Sequence, residues 1–320
     1  MLVSLRVRGD GEAWCCKDDT DAVKGVFVFL IFLGHARSYV SCPSESWTDA
    51  WAGLLGGVLG QLVVVMFLFF SGYGIAEAVK RKGVEYVKNF PRKRILPVLI
   101  NFDVAVLVFA VLAIVVDREL TFMRFVLSLI GWESLGNSNW YIFAIILCYV
   151  IAYIAARTTR CIAIWSFFGV FVMTQVMSFF KEPYWYNTIM AFPIGMVFSD
   201  YRDKIDKIGG TKYYCALVSS LAVFLAFYVF RHCDERGLIW SCLSIAFSMV
   251  VVLMMHKLRF DSHFLRWAGR NVFPIYIYQR LPMIILSYFG VNARPIIFTS
   301  LSLCLTLLIA YAYPKFRYVG

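Results

Sequence analysis

Charge is scarce in this chain. Only 16% of its 320 residues are Asp, Glu, Lys or Arg, 61% are hydrophobic, and the mean hydropathy is +0.72. A soluble domain carries nearer a quarter charged residues, so a water-soluble fold is excluded. Acidic residues are scarcer still, 20 against 31 Lys and Arg. Charged or Pro/Ser-rich linkers of useful length are missing, which leaves one continuous membrane domain. Residues 1–20 (MLVSLRVRGDGEAWCCKDDT) lack the apolar core and small-residue cleavage site of a signal peptide. They read as a poorly ordered cytoplasmic tail ahead of a domain over 21–320. The nine cysteines show neither CxxC spacing nor pairing with histidine, so no zinc or redox motif is indicated. Cys42 and Cys233 fall on the expected outer face, where a pairing between them has no other support. No internal repeat is evident.

What the chain has is apolar sequence. Stretches of membrane-spanning length recur from end to end, which predicts an all-α polytopic membrane protein. Ten spans are expected, near 22–40, 52–76, 95–116, 140–156, 161–180, 187–199, 213–230, 238–256, 271–289 and 294–313. The segment 121–136 is too short and polar-ended for a span and reads as an interfacial or re-entrant helix.

A net charge of +11 is of the kind that nucleic-acid binders carry, but its placement argues for topology. With a cytoplasmic N-terminus, alternate loops and both tails hold 23 of the 31 basic residues. That asymmetry is the positive-inside rule, and it predicts that both termini are cytoplasmic. No nucleic-acid partner is expected; the bilayer is.

Within the first span, DAVKGVFVFLIFLGHARSY (21–39) places Lys24, His35 and Arg37 in apolar surroundings. Ionisable groups inside a membrane are expensive and mostly functional. Lys24 and His35 fall within ~20° of one helix face and ~16 Å apart along the axis. Of four histidines only His35 is deep. A neutral imidazole there suits general-base work; an interhelical hydrogen bond is the plainer alternative. Lys24 alone is weaker evidence, since interfacial lysines are usually snorkelling topology markers.

Several segments resemble the acyltransferase-3 family of integral membrane acyltransferases. Lys24-x10-His35, with Gly34 before the histidine, is similar to that family's first-helix signature. FLFFSGYGIA (67–76) resembles its aromatic-Ser-Gly-aromatic segment, and RILP (94–97) its start to the third helix. SNWYIFAIIL (138–147) and GRNVFPIYIYQRLPM (269–283) resemble its later motifs. The match runs in order along the whole chain. Two departures stand out: Pro91 replaces the first of two arginines three apart, and Gln279 stands where many members carry a second histidine.

The resemblance implies a membrane O-acyltransferase. It would take an acyl group, commonly acetyl, from acetyl-CoA or another acyl-CoA and deliver it to a hydroxyl on a glycan, a lipid-linked saccharide or another cell-surface acceptor. The setting implied is a bacterial cytoplasmic membrane, and no metal is required. His35 would be the base. Lys24, Ser71, Tyr73, Arg92, Lys93 and Arg94 would hold the donor, the basic ones through charge-assisted bonds to phosphates. Arg37, Asn139, Trp140, Gln279 and Arg280 are acceptor-side candidates.

The residues also allow plainer readings. The basic loop can be topology alone. Ser71, Gly72 and Gly56-x-x-x-Gly60 fit helix packing. Arg37 and Arg280 suit an oxyanion or an anionic acceptor, or simple snorkelling. Asn139 and Trp140 suit an interfacial anchor or carbohydrate stacking. Asp103 needs a partner that sequence does not name. The rival function is a transporter of saccharides or small solutes; Pro193 and Pro274 are expected to interrupt spans, as transporters' broken helices do.

Overall fold

The computed structural model describes residues 4–9, 11–40, 59–234 and 237–313. Cys42 and Gly56 lie outside them. Helices dominate. α1 is Lys17–Arg37, α2 is Val65–Lys88, α3 is Leu96–Val115 and α4 is Phe122–Leu129. Then follow α5 at Trp140–Thr158, α6 at Ile162–Met177, α7 at Ala191–Asp206 and α8 at Gly210–Phe230. α9 spans Leu238–Lys257, α10 His263–Arg270, α11 Val272–Tyr278, α12 Arg280–Tyr288 and α13 Pro295–Ala312.

A helix stands at each of the ten expected spans. Among the described residues six are long and apolar enough to cross a membrane, and Ile162–Met177 is a shorter apolar helix. The chain is therefore an all-α, multi-pass membrane protein. Its exterior agrees: Val111, Ile114, Trp165 and Leu308 are exposed, as suits side chains solvated by lipid rather than water. The 121–136 segment holds only the eight-residue α4, closed by Thr121, whose side chain accepts from the Arg124 amide.

Two helix crossings centre the bundle, and both depend on glycine. A side chain on Gly72 of α2 would strike the Phe192 carbonyl of α7, and one on Gly195 of α7 would strike the Phe69 carbonyl of α2. The same reciprocity joins α1 to α10, through Gly25 against Leu265 and Gly269 against Asp21. Small residues let backbones meet where lipid supplies no hydrophobic drive. Packing is thus the role of Gly72. Gly83, at φ 58°, breaks α2 just after Lys82.

Pro193 and Pro274 do not interrupt spans. Each lies in the first turn of its helix, where the missing N–H costs nothing. The interruption falls instead at Gln279, between α11 and α12. Pro282 has no N–H for the Tyr278 carbonyl four residues back, so the ladder opens there.

The expectation of a poorly ordered N-terminal tail is also corrected. Ser4–Val7 forms β1, antiparallel to β2 at Leu258–Asp261, with Ser4 opposite Asp261 and Val7 opposite Leu258. Arg8 is buried; it lies 3.2 Å from Asp19 and donates to the Ala13 and Met255 carbonyls. Trp14 is buried beside Phe198 and His256. Burial pushes the Cys15 thiol up to about 12. Glu12 is held at about 2 by hydrogen bonds from Arg6 and Arg259. Sequence reasoning missed this because each charge finds its partner some 250 residues away or across a turn.

Candidate active site

Four residues of α1, Leu30, Ile31, Gly34 and His35, share one helix face and line a cavity of about 410 Å³. The turn before α2 supplies Gly60, Gln61, Val63 and Val64. Ser134 to Trp140 form a third wall, and Tyr184, Tyr276 and Arg280 close it. Gly34 meets no other atom where a side chain would stand, so it leaves room beside the imidazole.

The third wall is rigid because the loop bonds to itself. Asn139 donates to the carbonyls of Gly131 and Glu133 at 2.8 and 3.0 Å. Ser134 donates to the Asn137 carbonyl, and Arg124 to that of Ser134. Asn139 thereby shapes the wall, while Trp140 starts α5 with its ring 6.2 Å from that of Tyr184 and at 78° to it.

The cavity concentrates polar atoms that lack partners. His35 Nδ1, Gln61 Oε1, Asn137 Nδ2 and Arg280 Nε are buried without a hydrogen bond, and Ser138 Oγ and Tyr276 Oη have no partner but each other. Gln279 and Arg280 face His35. The imidazole and the Tyr276 ring lie 6.3 Å apart. Leaving a buried polar group unpaired costs about 1–3 kcal/mol. Six polar atoms around one space, four of them without any partner, mark a site shaped for something else that bonds.

His35, Asn139, Trp140, Gln279 and Arg280 therefore come together. Arg37 lies two residues beyond His35, off the lining face. Lys24 is elsewhere, paired at 2.7 Å with Asp21, which also takes Arg270 at 3.2 Å. Tyr73 accepts from Arg202 near Trp14, on the N-terminal side of the bundle. Arg92, Lys93 and Arg94 are exposed on a single wide turn, Pro91–Ile95. Asp103 remains unpartnered at Oδ1.

A file of aromatic residues connects these two ends. Arg94 donates to the Tyr86 hydroxyl at 2.9 Å and faces Tyr149. Ser71 lies within reach of both Tyr149 and Tyr141. Tyr141 stands 5.4 Å from Tyr276, centroid to centroid. Reading the sequence missed Gln61, Ser138, Tyr184 and Tyr276. Gln61 had a signal, as the one polar residue in VLGQLVVVMFLFF; Tyr276 is one aromatic among many.

Among the described residues no group of His, Cys, Asp and Glu could hold a metal ion. A family model described as an acyltransferase domain matches residues 18–313. No curated protein and no solved structure matches the chain. A match over nearly the whole sequence is decisive: the chain belongs to the acyltransferase-3 family, membrane O-acyltransferases that move acyl groups from acyl-CoA to glycan or other surface acceptors.

Proposed function

We propose that the group transferred is acetyl, that the donor is acetyl-CoA and that the acceptor hydroxyl belongs to a glycan or lipid-linked saccharide. The protein lies in a bacterial cytoplasmic membrane with ten spans and both termini inside, and residues 21–320 form the acyltransferase domain. The observation that carries this reading is the set of unpartnered buried polar atoms around His35.

In this topology Arg92, Lys93 and Arg94 lie at the inner rim and the cavity opens from the outer half. The donor's phosphates take the rim, and its acyl arm follows Arg94, Ser71 and Tyr141 inward rather than the Lys24 face of α1. Lys24 and Tyr73 serve the donor side by fixing α1 and α2 at that rim. His35 takes the proton of the acceptor hydroxyl as its oxygen attacks the thioester carbon. Arg280, with the Ser138 and Tyr276 hydroxyls, bears the negative charge that develops on the carbonyl oxygen. The C–S bond then breaks, the ester leaves, and the CoA thiolate takes the proton from His35. Gln279 orients the imidazole, and Arg37 and Trp140 flank the acceptor's approach.

The test is free-thiol release from acetyl-CoA by purified protein supplied with a surface-glycan preparation. Acceptor-dependent release with ester formed in equal amount is expected. Saccharide movement across proteoliposomes with no thiol released would favour the transporter instead.

A further inference from the structure

Beside the His35 cavity lies a second one of about 500 Å³, which shares Ser134, Asn139 and Tyr184 with it. Trp132 and Trp185 line it, and the Lys181 ammonium sits 3.8 and 4.4 Å from their ring centroids. Lys181 also donates to the Trp132 carbonyl at 2.9 Å. Glu133 and Glu182 complete the charged lining. Tyr184, 41% exposed, stands where the two cavities meet, its ring 6.2 Å from Trp140 and 6.1 Å from Trp185.

We infer that this second cavity seats a neutral saccharide unit of the acceptor, holding it so that a hydroxyl of that unit or the next enters the His35 cavity. The inference rests on the glycan-acyltransferase reading and adds the chemistry of the sugar. Three features support it. A pyranose has an apolar C–H face that matches an aromatic ring, and Tyr184 offers one accessible from the seat. Its hydroxyl edges donate well to carboxylates, which Glu133 and Glu182 supply. The charge balance selects for neutrality: two carboxylates face one ammonium, and that ammonium is already engaged by a carbonyl and two ring faces. A uronate or phosphate would enter against this field with no free cation among the described lining residues to meet it. An aromatic belt at the lipid interface is the rival use of such residues. It accounts poorly for Lys181 drawn inward over two rings, or for Ser134 and Asn139 shared with the His35 cavity.

Equilibrium dialysis of the full chain in nanodiscs, with radiolabelled cellotriose, maltotriose, chitotriose and trigalacturonate and with no acyl-CoA present, tests the seat directly. At least one neutral trisaccharide should bind, and trigalacturonate more weakly. Tyr184→Ala should weaken that binding roughly tenfold, the worth of one stacked ring. Glu133→Gln, which keeps the shape, should narrow the preference for neutral over anionic sugar. Thermal midpoints of both variants at the parent value confirm that they fold. Trigalacturonate binding as tightly as the neutral sugars overturns the inference, as does binding unmoved by Tyr184→Ala. So does failure of every neutral sugar to bind, which would assign the aromatic cluster to the membrane interface. Because no donor is present, the result is independent of catalysis: binding intact with no acyl transfer would count against the acyltransfer reading alone.

Discussion

The imidazole of His35 and the phenol ring of Tyr276 stand 6.3 Å apart at 45°, lining one cavity, and His35 Nδ1 is buried there with no hydrogen-bond partner. A histidine placed only to tie helices together would spend its nitrogens on neighbours. This one has Gln279 as a neighbour but leaves Nδ1 unspent beside a cavity, as the proposed base requires.

His35→Ala should therefore abolish turnover while acyl-CoA still binds, since a positioned base contributes about 10²–10⁴-fold. His35→Gln is the sharper comparison, because glutamine preserves a packing hydrogen bond but cannot act as the base. Acyl transfer at near-normal rate by purified, folded His35→Gln would sink the catalytic role.

On the proposed inner rim, Arg92→Gln and Lys93→Gln should raise the KM for acetyl-CoA and leave kcat nearly unchanged. Both side chains are exposed, so the lost contribution should shrink as salt rises. An unchanged donor KM in correctly inserted protein would leave this turn as a topology signal. Insertion is checked with a cysteine at Lys88, which should resist an impermeant reagent in intact cells.

The α2–α7 crossing makes a stability prediction. Gly72→Val or Gly195→Val forces a side chain into a backbone carbonyl, and overpacking of this kind costs at least about 1–3 kcal/mol. The thermal midpoint in detergent should fall clearly. Gly74→Ala, where a side chain would meet open space, should hold or slightly raise it, because alanine is about 1 kcal/mol better in a helix. Equal loss from both changes would refute the close crossing.

The N-terminal strand should respond to acid in one direction. Glu12 has a carboxyl depressed from 4.5 to about 2 by its bonds to Arg6 and Arg259. Its stabilising effect is fully present above the unfolded value and disappears as pH falls from about 4.5 through 2. Hydrogen exchange of residues 4–8, corrected for intrinsic rate, should show protection lost over that window. In Glu12→Gln the protection should already be reduced at neutral pH and vary less with acid. Exchange that ignores both acid and the substitution would show that the ion cluster does not hold the strand.

Membrane class, helix positions and the Lys24-x10-His35 spacing were determined by the sequence alone. These rest on local physics: apolar length sets a span, basic residues bias a loop, and helical rise fixes where His35 sits along α1. Pairing across the chain was not legible. That Lys24 shares Asp21 with Arg270, that Ser4–Val7 finds Leu258–Asp261, and that Gly72 opposes Phe192 are decided by how helices dock. The site itself divides the same way. Sequence named His35 and Arg280, because an ionisable residue in an apolar run is visible by itself. Only the tertiary structure set Gln61, Ser138, Tyr184 and Tyr276 around them, because a polar or aromatic side chain acquires a role from the partners it lacks after folding.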